Sequence, residues 1–319
     1  MKPPAMKKKI PDPAGKRKGR RFKIRLAVLL AVLAAVAAAA VFPAGTVWNR
    51  VFTFFGLRDF SAGADSVPCS VHVLDVGKAD SILVECGGRN MLVDGGTADR
   101  GASVAAYLKR RGVKELELVV NTHPDSDHIG GLAQILQEFP VKRYFAPGIP
   151  QKLIPSTEEY QSVQKILKQK GLAAEHPSAG QKFSLGGLRI QVLGPAVPGN
   201  STNNNSIVLK LSYGKIRFLL MGDAEKEEEQ SLLDSGRSLS ADVLKVGHHG
   251  SSTSTAQKFL DEVRPRFAAV SVGEDSSSLP KFSVLRRLYR SGVTVYRTDV
   301  SGTLIFLTDG KSLSVKTEK

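Results

Sequence analysis

Cysteine is scarce in this 319-residue chain: there are two, Cys69 and Cys86, and their spacing makes no metal-binding motif. Acids are nearly missing from the first 25 positions, where eleven Lys or Arg meet a single Asp12. Charge of either sign is then absent from Leu26 to Trp48. No repeat recurs at the periods of about 20 to 50 residues that mark solenoids, which excludes those architectures. The formal charge of +15 suggests nucleic acid or an anionic membrane as partner. Its distribution removes most of that argument, because residues from 26 onward hold 34 basic against 29 acidic side chains, a net +5.

What stands in the uncharged stretch is LAVLLAVLAAVAAAAVF, apolar without periodicity. A buried helix of a soluble protein shows a polar stripe, and this run has none. The whole uncharged stretch, residues 26–48, meets the roughly 20 residues needed to span a bilayer core. The basic flank precedes it, so by the positive-inside rule residues 1–25 form a cytoplasmic tail, 26–48 a single-pass transmembrane anchor in the cell membrane, and everything after Trp48 is extracytoplasmic. A cleaved signal peptide is the rival reading, with Ala38 to Ala40 as small residues before a cut; the long charged n-region and long apolar run favour an uncleaved anchor. Residues 49–68 mix aromatics with Ser, Gly and Asp and read as a linker.

From Cys69 to residue 319 the pattern is globular. Apolar runs with turn signals between them (VHVLDV, SILVEC, NMLVDGG, LELVV) surround an amphipathic SVAAYLKRRG, and a second half repeats the style with LRIQVLG, SIVLKLSYG, KIRFLLMGD, ADVLKVG, FAAVSVG and VTVYRTD. Two strand-rich halves with interspersed helices predict two packed sheets in one layered α/β domain. Between them, STEEYQSVQKILKQKG predicts a surface helix capped by Ser156 or Thr157. Cys69 and Cys86 flank two alternating strands; with the turn centred between Gly77 and Lys78 they fall opposite each other, and a cross-strand bridge becomes geometrically possible.

The densest chemistry is NTHPDSDHIGG, Asn121 to Gly131, between a buried-strand pattern and a helical one. His123, Asp125 and Asp127 are spaced by two, so an extended loop points them the same way, and His128 turns in at the helix start. Imidazole mixed with carboxylate suits a divalent metal that keeps positions open for water and substrate. A capped turn with buried, hydrogen-bonded histidines is the bland alternative, though capping needs only one such residue. His72 and His176 lack partners at ligand spacing and read as structural. Asp94, in VDGG, reads as a turn residue or as one that orients a ligating histidine.

With these motifs in order (LDVGKADSILVE, LVDGG, THPDSDHIGG, NNNSIVLKL, LLMGDAE, DVLKVGHHGSSTS, YRTDVSGTL), the chain resembles the metallo-β-lactamase superfamily over His72 to Phe306. More narrowly it is similar to the extracytoplasmic hydrolase domain of the ComEC competence-channel family, which carries an Asp at the second ligand position, here Asp125. The resemblance implies a four-layer αββα sandwich holding two divalent ions, Zn²⁺ or Mn²⁺. It places His123 and Asp125 on one metal, Asp127 and His128 on the second, Asp223 as the bridge and His248 as the completing ligand. Asp127 and Asp223 are the expected catalytic residues, Asp127 orienting the nucleophile; His249, Ser251, Ser252 and Asn204 are the expected substrate contacts.

One family feature is missing. The Gly-His-Pro that relatives carry after the FAAVSVG strand is GEDSSSLPKF here, with Leu279 before Pro280. Asp275 and Lys281 are the nearest substitutes. The function expected is a metal-dependent phosphodiesterase or nuclease on extracellular DNA or nucleotides. Hydrolysis of a small ester, lactone or β-lactam is the second reading, and a non-catalytic module binding DNA or cell-wall polymer the third. No partner protein is identifiable from the sequence.

Overall fold

Strict alternation in the first strands sets the architecture. In β1 (Cys69–Val73), β2 (Ile82–Cys86) and β3 (Arg89–Val93), Val71, Val73, Ile82, Val84, Met91 and Val93 point into a central core, while Leu83 and Leu92 point the other way. This antiparallel meander is extended by parallel strands β4 (Leu118–Val120), β5 (Tyr144–Phe145) and β6 (Ala174–Glu175). The computed structural model describes residues 68–274, 276 and 278–319, which lie in the unit Gly63–Lys319. The expected tail, membrane span and nearly all of the linker fall outside the described residues, among which no helix is long and apolar enough to cross a membrane.

A second sheet comprises β7 (Lys182–Leu185), β8 (Leu188–Gly194), β9 (Val208–Tyr213), β10 (Ile216–Leu220), β11 (Val243–Lys245), β12 (Phe267–Val270) and β13 (Thr294–Arg297), antiparallel up to β10 and parallel beyond it. The chain then returns to the first sheet with β14 (Leu304–Thr308) and β15 (Leu313–Thr317), which pair beside β1. The reading of two successive halves did not foresee that return.

Between the sheets, Val71, Val84, Leu209, Phe218, Leu220 and Phe306 form one apolar layer. On the outer face of the first sheet lie α1 (Gly101–Arg110), the single turn α2 (Ser126–Ile129), α3 (Leu132–Glu138) and α4 (Glu158–Lys170), packing Val104, Leu108, Leu132, Ile135 and Val163 against Leu83, Leu92 and Val119. The second sheet is covered by α5 (Lys226–Asp234), α6 (Gln257–Val263) and α7 (Phe282–Arg290) through Leu232, Phe259, Leu260, Val284 and Leu288. A last short turn, α8 (Thr298–Ser301), precedes β14. The result is the αββα order expected, and full burial of each such aliphatic side chain contributes about 1.5–3 kcal/mol. Helix α4 starts as its sequence indicated: the Thr157 hydroxyl accepts from the Tyr160 N–H, and Gly171 closes the helix at φ 61°.

Cys69 lies directly opposite Cys86, the register inferred from the turn. Both thiols are buried and free.

Candidate metal centre

The candidate ligands follow the carboxyl ends of parallel-paired strands, where loops from both sheets meet at one edge. Asp94 follows β3, the His123 loop follows β4, Asp223 follows β10, and His248 and His249 follow β11. The hub is Asp223, whose carboxylate is 4% exposed and is approached by four imidazoles: His128 Nε2 at 3.3 Å, His249 Nε2 at 3.6 Å, His248 Nε2 at 3.8 Å and His123 Nε2 at 3.9 Å.

Extended-loop alternation holds only for the first step of the motif. His123 Nε2 is 3.7 Å from Asp125 Oδ2, but Asp125 is already the N-cap of α2, so Asp127 and His128 come from the first turn of a helix. Two glycines then bring that turn against the loop after β3. A Cβ on Gly131 would sit 2.0 Å from the Gly95 carbonyl oxygen, and one on Gly130 2.6 Å from the Ala98 nitrogen, so neither position admits a side chain without displacing backbone. The close approach that lets His128 reach Asp94 and Asp223 therefore depends on them.

Three overlapping groups of ligand atoms result among the described residues, His123 with His128 and Asp223, Asp127 with His128 and His249, and Asp80 with Asp94 and His128. The Nε2 atoms of His123, His128 and His249 and Oδ1 of Asp223 are buried without a hydrogen-bond partner. Buried polar atoms normally find partners, and orphaned imidazole and carboxylate atoms gathered in these overlapping groups are a donor set that could hold divalent metal. The other ring nitrogens are held from behind. His128 Nδ1 is 2.9 Å from Asp94 Oδ2, which also receives the Thr122 hydroxyl, and His249 Nδ1 meets the Ser271 carbonyl at 2.9 Å. Such partners fix ring orientation and tautomer. Asp94, which its motif left as a turn residue or an orienting one, lies behind the His128 ring.

Charges within the cluster are strongly coupled. Burial opposes protonation of His128, yet the carboxylates of Asp223 and Asp94 outweigh it and hold its pKa well above the ordinary histidine range. Burial and then the neighbouring His128 push His123 down. For Asp223, burial is outweighed by His249 and His128, so its carboxyl lies well below the usual range. Backbone strain gathers in the same place, with Asp94, His248 and His249 at φ 59°, 48° and 51°. Non-glycine residues held there cost of order 1–3 kcal/mol each and persist where surrounding contacts over-determine them.

The two histidines of GHHG divide differently from the expectation. His249 is fully buried and its Nε2 lies 3.5 Å from Asp127 Oδ2, inside the ligand cluster, whereas it was read as a substrate contact. His248, read as the completing ligand, is 24% exposed, and its Nδ1 contacts Thr253 Oγ1 at 3.0 Å and Glu225 Oε1 at 3.3 Å. The consecutive left-handed residues turn one ring in and the other toward the rim. Ser251 bonds to Thr253 near that rim, and Ser252 is exposed beside it. Asn204 does not face the cluster: its amide accepts from the Glu225 N–H and donates to Glu227, tying the loop before β9 to α5.

Three residues were missed in the sequence. Lys78 reaches over the mouth to Asp127, Nζ to Oδ2 2.9 Å. Asp80 and Lys245 form a fully buried ion pair behind His249, with Asp80 Oδ1 3.7 Å from His249 Nδ1. The signal was present, since Lys245 is the one charge inside the apolar run VLKVG and Asp80 the one charge between Ala79 and Ser81. Leu279, at the position of the absent family histidine, packs with the apolar residues outside the second sheet and offers no ligand atom. Asp275 lies outside the described residues, and Lys281 is exposed, its backbone N–H donating to the Gly250 carbonyl.

Among protein families, the model described as the metallo-beta-lactamase superfamily matches residues 74–274. ComE operon protein 3 of Bacillus subtilis is 33% identical over 254 residues, covering 73% of this chain and 32% of that protein. Recombination protein 2 of Haemophilus influenzae is 35% identical over 240 residues, covering 73% and 28%. The chain thus spans about a third of the length of these relatives. Among solved structures, the metallo-beta-lactamase fold protein YhfI of Bacillus subtilis superposes with a TM-score of 0.51 at 13% identity, over 74% of this chain and 99% of that one, a likeness of fold alone.

Proposed function

The chain belongs to the metallo-β-lactamase superfamily, a fold of metal-dependent hydrolases, and on that premise we propose that it is a phosphodiesterase acting on DNA or nucleotides outside the cytoplasmic membrane. The observation that carries the reading is the set of buried, partnerless ligand atoms around Asp223. His123, Asp125 and Asp223 would hold one ion, and Asp127, His128 and His249 a second, with Asp223 between them. His248 stands at the rim beside Asp223. When bound, divalent ions polarise a phosphoryl oxygen and acidify water, with Mn²⁺ and Zn²⁺ both suited to this mixed carboxylate and imidazole set.

The chain's own residues supply positioning and charge. Asp127, at the open end of the cluster, orients water through its carboxylate. Lys78, exposed at the mouth beside Asp127 and Asp125, contributes the positive charge that draws an anionic ester to an otherwise acidic rim. DNA is favoured as substrate class by the relatives, one named Recombination protein 2 and another, from Neisseria gonorrhoeae, named Competence protein ComA. The basic tail and the uncharged run 26–48 support a single-pass anchor with the domain outside.

The packed Leu279 supports a second reading, a non-catalytic module that binds DNA or wall polymer, because no side chain at that position can protonate a leaving group. Metal analysis of the full chain with a panel of DNA, phosphodiester, lactone and β-lactam substrates separates the readings, with Asp127→Ala as control. Cleavage of phosphodiesters that needs Mn²⁺ or Zn²⁺ and is lost in the variant is expected. A fully metallated protein that binds DNA and turns over nothing would establish the module instead.

A further inference from the structure

The two most exposed large apolar side chains among the described residues are Phe282, at 76%, and Tyr289, at 81%, and both are on α7. Seven residues apart, they fall on one face of the helix with Arg286 between them, within about 60° of arc and separated by about 10 Å along the axis. Arg290 borders that face. The opposite side of the helix, Val284 and Leu288, is buried in the layer outside the second sheet, so the aromatic face is turned to solvent by the packing of the helix itself. Arg287, the one arginine turned inward, donates to the Thr255 carbonyl.

The charge is of one sign. Residues 281–298 contain Lys281, Arg286, Arg287, Arg290 and Arg297 and no acid. Among the described residues, the side chains of Lys281, Arg286 and Arg290 enter no hydrogen bond or ion pair. The face is also continuous with the metal centre, because the Lys281 N–H donates to the carbonyl of Gly250, the neighbour of His249, and Pro280 packs on that glycine. Helix α7 begins at the site and leads away from it.

Exposed rings alternating with unpaired guanidinium groups are the two components of a single-strand nucleic-acid platform, in which bases stack on aromatic faces and cations track the phosphates. We infer that Phe282, Arg286, Tyr289 and Arg290 form a docking face for single-stranded nucleic acid, delivering the strand to the metal centre. The inference rests on the phosphodiesterase reading for its purpose, but the face binds whether or not the strand is cut.

The test measures binding of a short fluorescein-labelled oligothymidylate to the full chain by anisotropy, with metal chelated so that nothing is cleaved. The basic tail of residues 1–25 contributes a background common to all variants, so differences between variants are read. Phe282→Ala with Tyr289→Ala is expected to weaken binding by roughly tenfold per ring, with an unchanged salt slope. Arg286→Gln with Arg290→Gln is expected to lower the slope of log K against log salt by about 1.4. Ultraviolet crosslinking of thymine to the peptide containing Phe282 or Tyr289 locates the contact. Unchanged thermal unfolding of each variant shows that the fold is kept.

Oligonucleotide affinity equal to the parent's in the double-alanine variant overturns the inference. So does a pattern in which the same substitutions weaken binding to phosphatidylglycerol vesicles and not to the oligonucleotide, which makes the face a membrane contact. A strand held by this face but never cut with Mn²⁺ or Zn²⁺ restored overturns the phosphodiesterase reading alone. A strand cut by a protein whose α7 variants bind normally overturns the docking face alone.

Discussion

Lys245 Nζ lies 2.7 Å from Asp80 Oδ2, and both side chains are 1% exposed. The pair joins the two sheets beneath the metal centre, because Lys245 ends β11 and Asp80 lies in the loop between β1 and β2. Its Nζ also donates to the Val246 carbonyl. Burial alone would drive the Asp80 carboxyl up; Lys245, His249 and His128 bring it below its ordinary value. Removing one partner leaves an uncompensated buried charge, so Lys245→Met is expected to destabilise the protein by about 3–5 kcal/mol in urea unfolding. Lys245→Met combined with Asp80→Leu should recover much of that loss. A single variant as stable as the parent would mean that the pair is solvated.

Metal binding should separate the adjacent histidines. His249 points a partnerless nitrogen into the cluster and His248 stands at its rim. Zinc titration by calorimetry should therefore show a much larger loss for His249→Ala than for His248→Ala. Asp94→Ala, which frees the His128 ring from behind, should weaken binding by about 10–100-fold. Equal losses for the two histidines would restore His248 as a ligand.

Much of this was legible in the sequence because period and spacing are local properties. Alternation in VHVLDV and SILVEC gave the strands and their shared face, Thr157 gave the start of α4, and the density of His and Asp between 123 and 128 marked the site. Long-range facts were less accessible. The return of β14 and β15 to the first sheet depends on which edge is free, which no local pattern encodes. Assignment within His248–His249 turned on two consecutive left-handed residues, and neighbours in sequence give no sign of that. Asn204 was read toward the pocket, but its amide is occupied by α5, whose position follows from the packing of Leu232. Asp80 and Lys245 lie 165 positions apart and become a pair only when the sheets stack.

Stability should fall between mildly acidic and neutral pH through Glu228 and Glu229. Both are nearly fully buried in α5, and burial raises each carboxyl to about 7. The folded state keeps protons that the unfolded chain releases near its ordinary value of 4.5. Their contribution is thus fully present below that value and is lost as the pH rises through about 7, on the order of 3 kcal/mol for each group treated alone. Glu228 accepts one N–H, from Ala196, through Oε1, a role that glutamine preserves. Urea unfolding at pH 5 and pH 8 should show a smaller pH difference for Glu228→Gln than for the parent. An identical difference would show that Glu228 is ionised in the folded protein throughout.

The two cysteines give a prediction that strand geometry alone supports. The Gly87 N–H donates to the Pro68 carbonyl and the Leu74 N–H to the Ser81 carbonyl, which fixes every second pair of β1 and β2 as hydrogen-bonded. Cys69 and Cys86 therefore occupy a non-hydrogen-bonded site, where facing Cα atoms are about 4.5 Å apart, inside the range a disulfide accepts. Refolding with oxidised glutathione, which takes up the two electrons and two protons of the thiols, should leave no thiol on denaturing titration and no dimer on a non-reducing gel. The bridge closes a short loop, so by the chain-entropy argument it should stabilise by ~3 kcal/mol, read as a higher unfolding midpoint that dithiothreitol or Cys86→Ser removes. Two free thiols after that treatment would mean that the buried side chains, although opposite, keep rotamers that face apart.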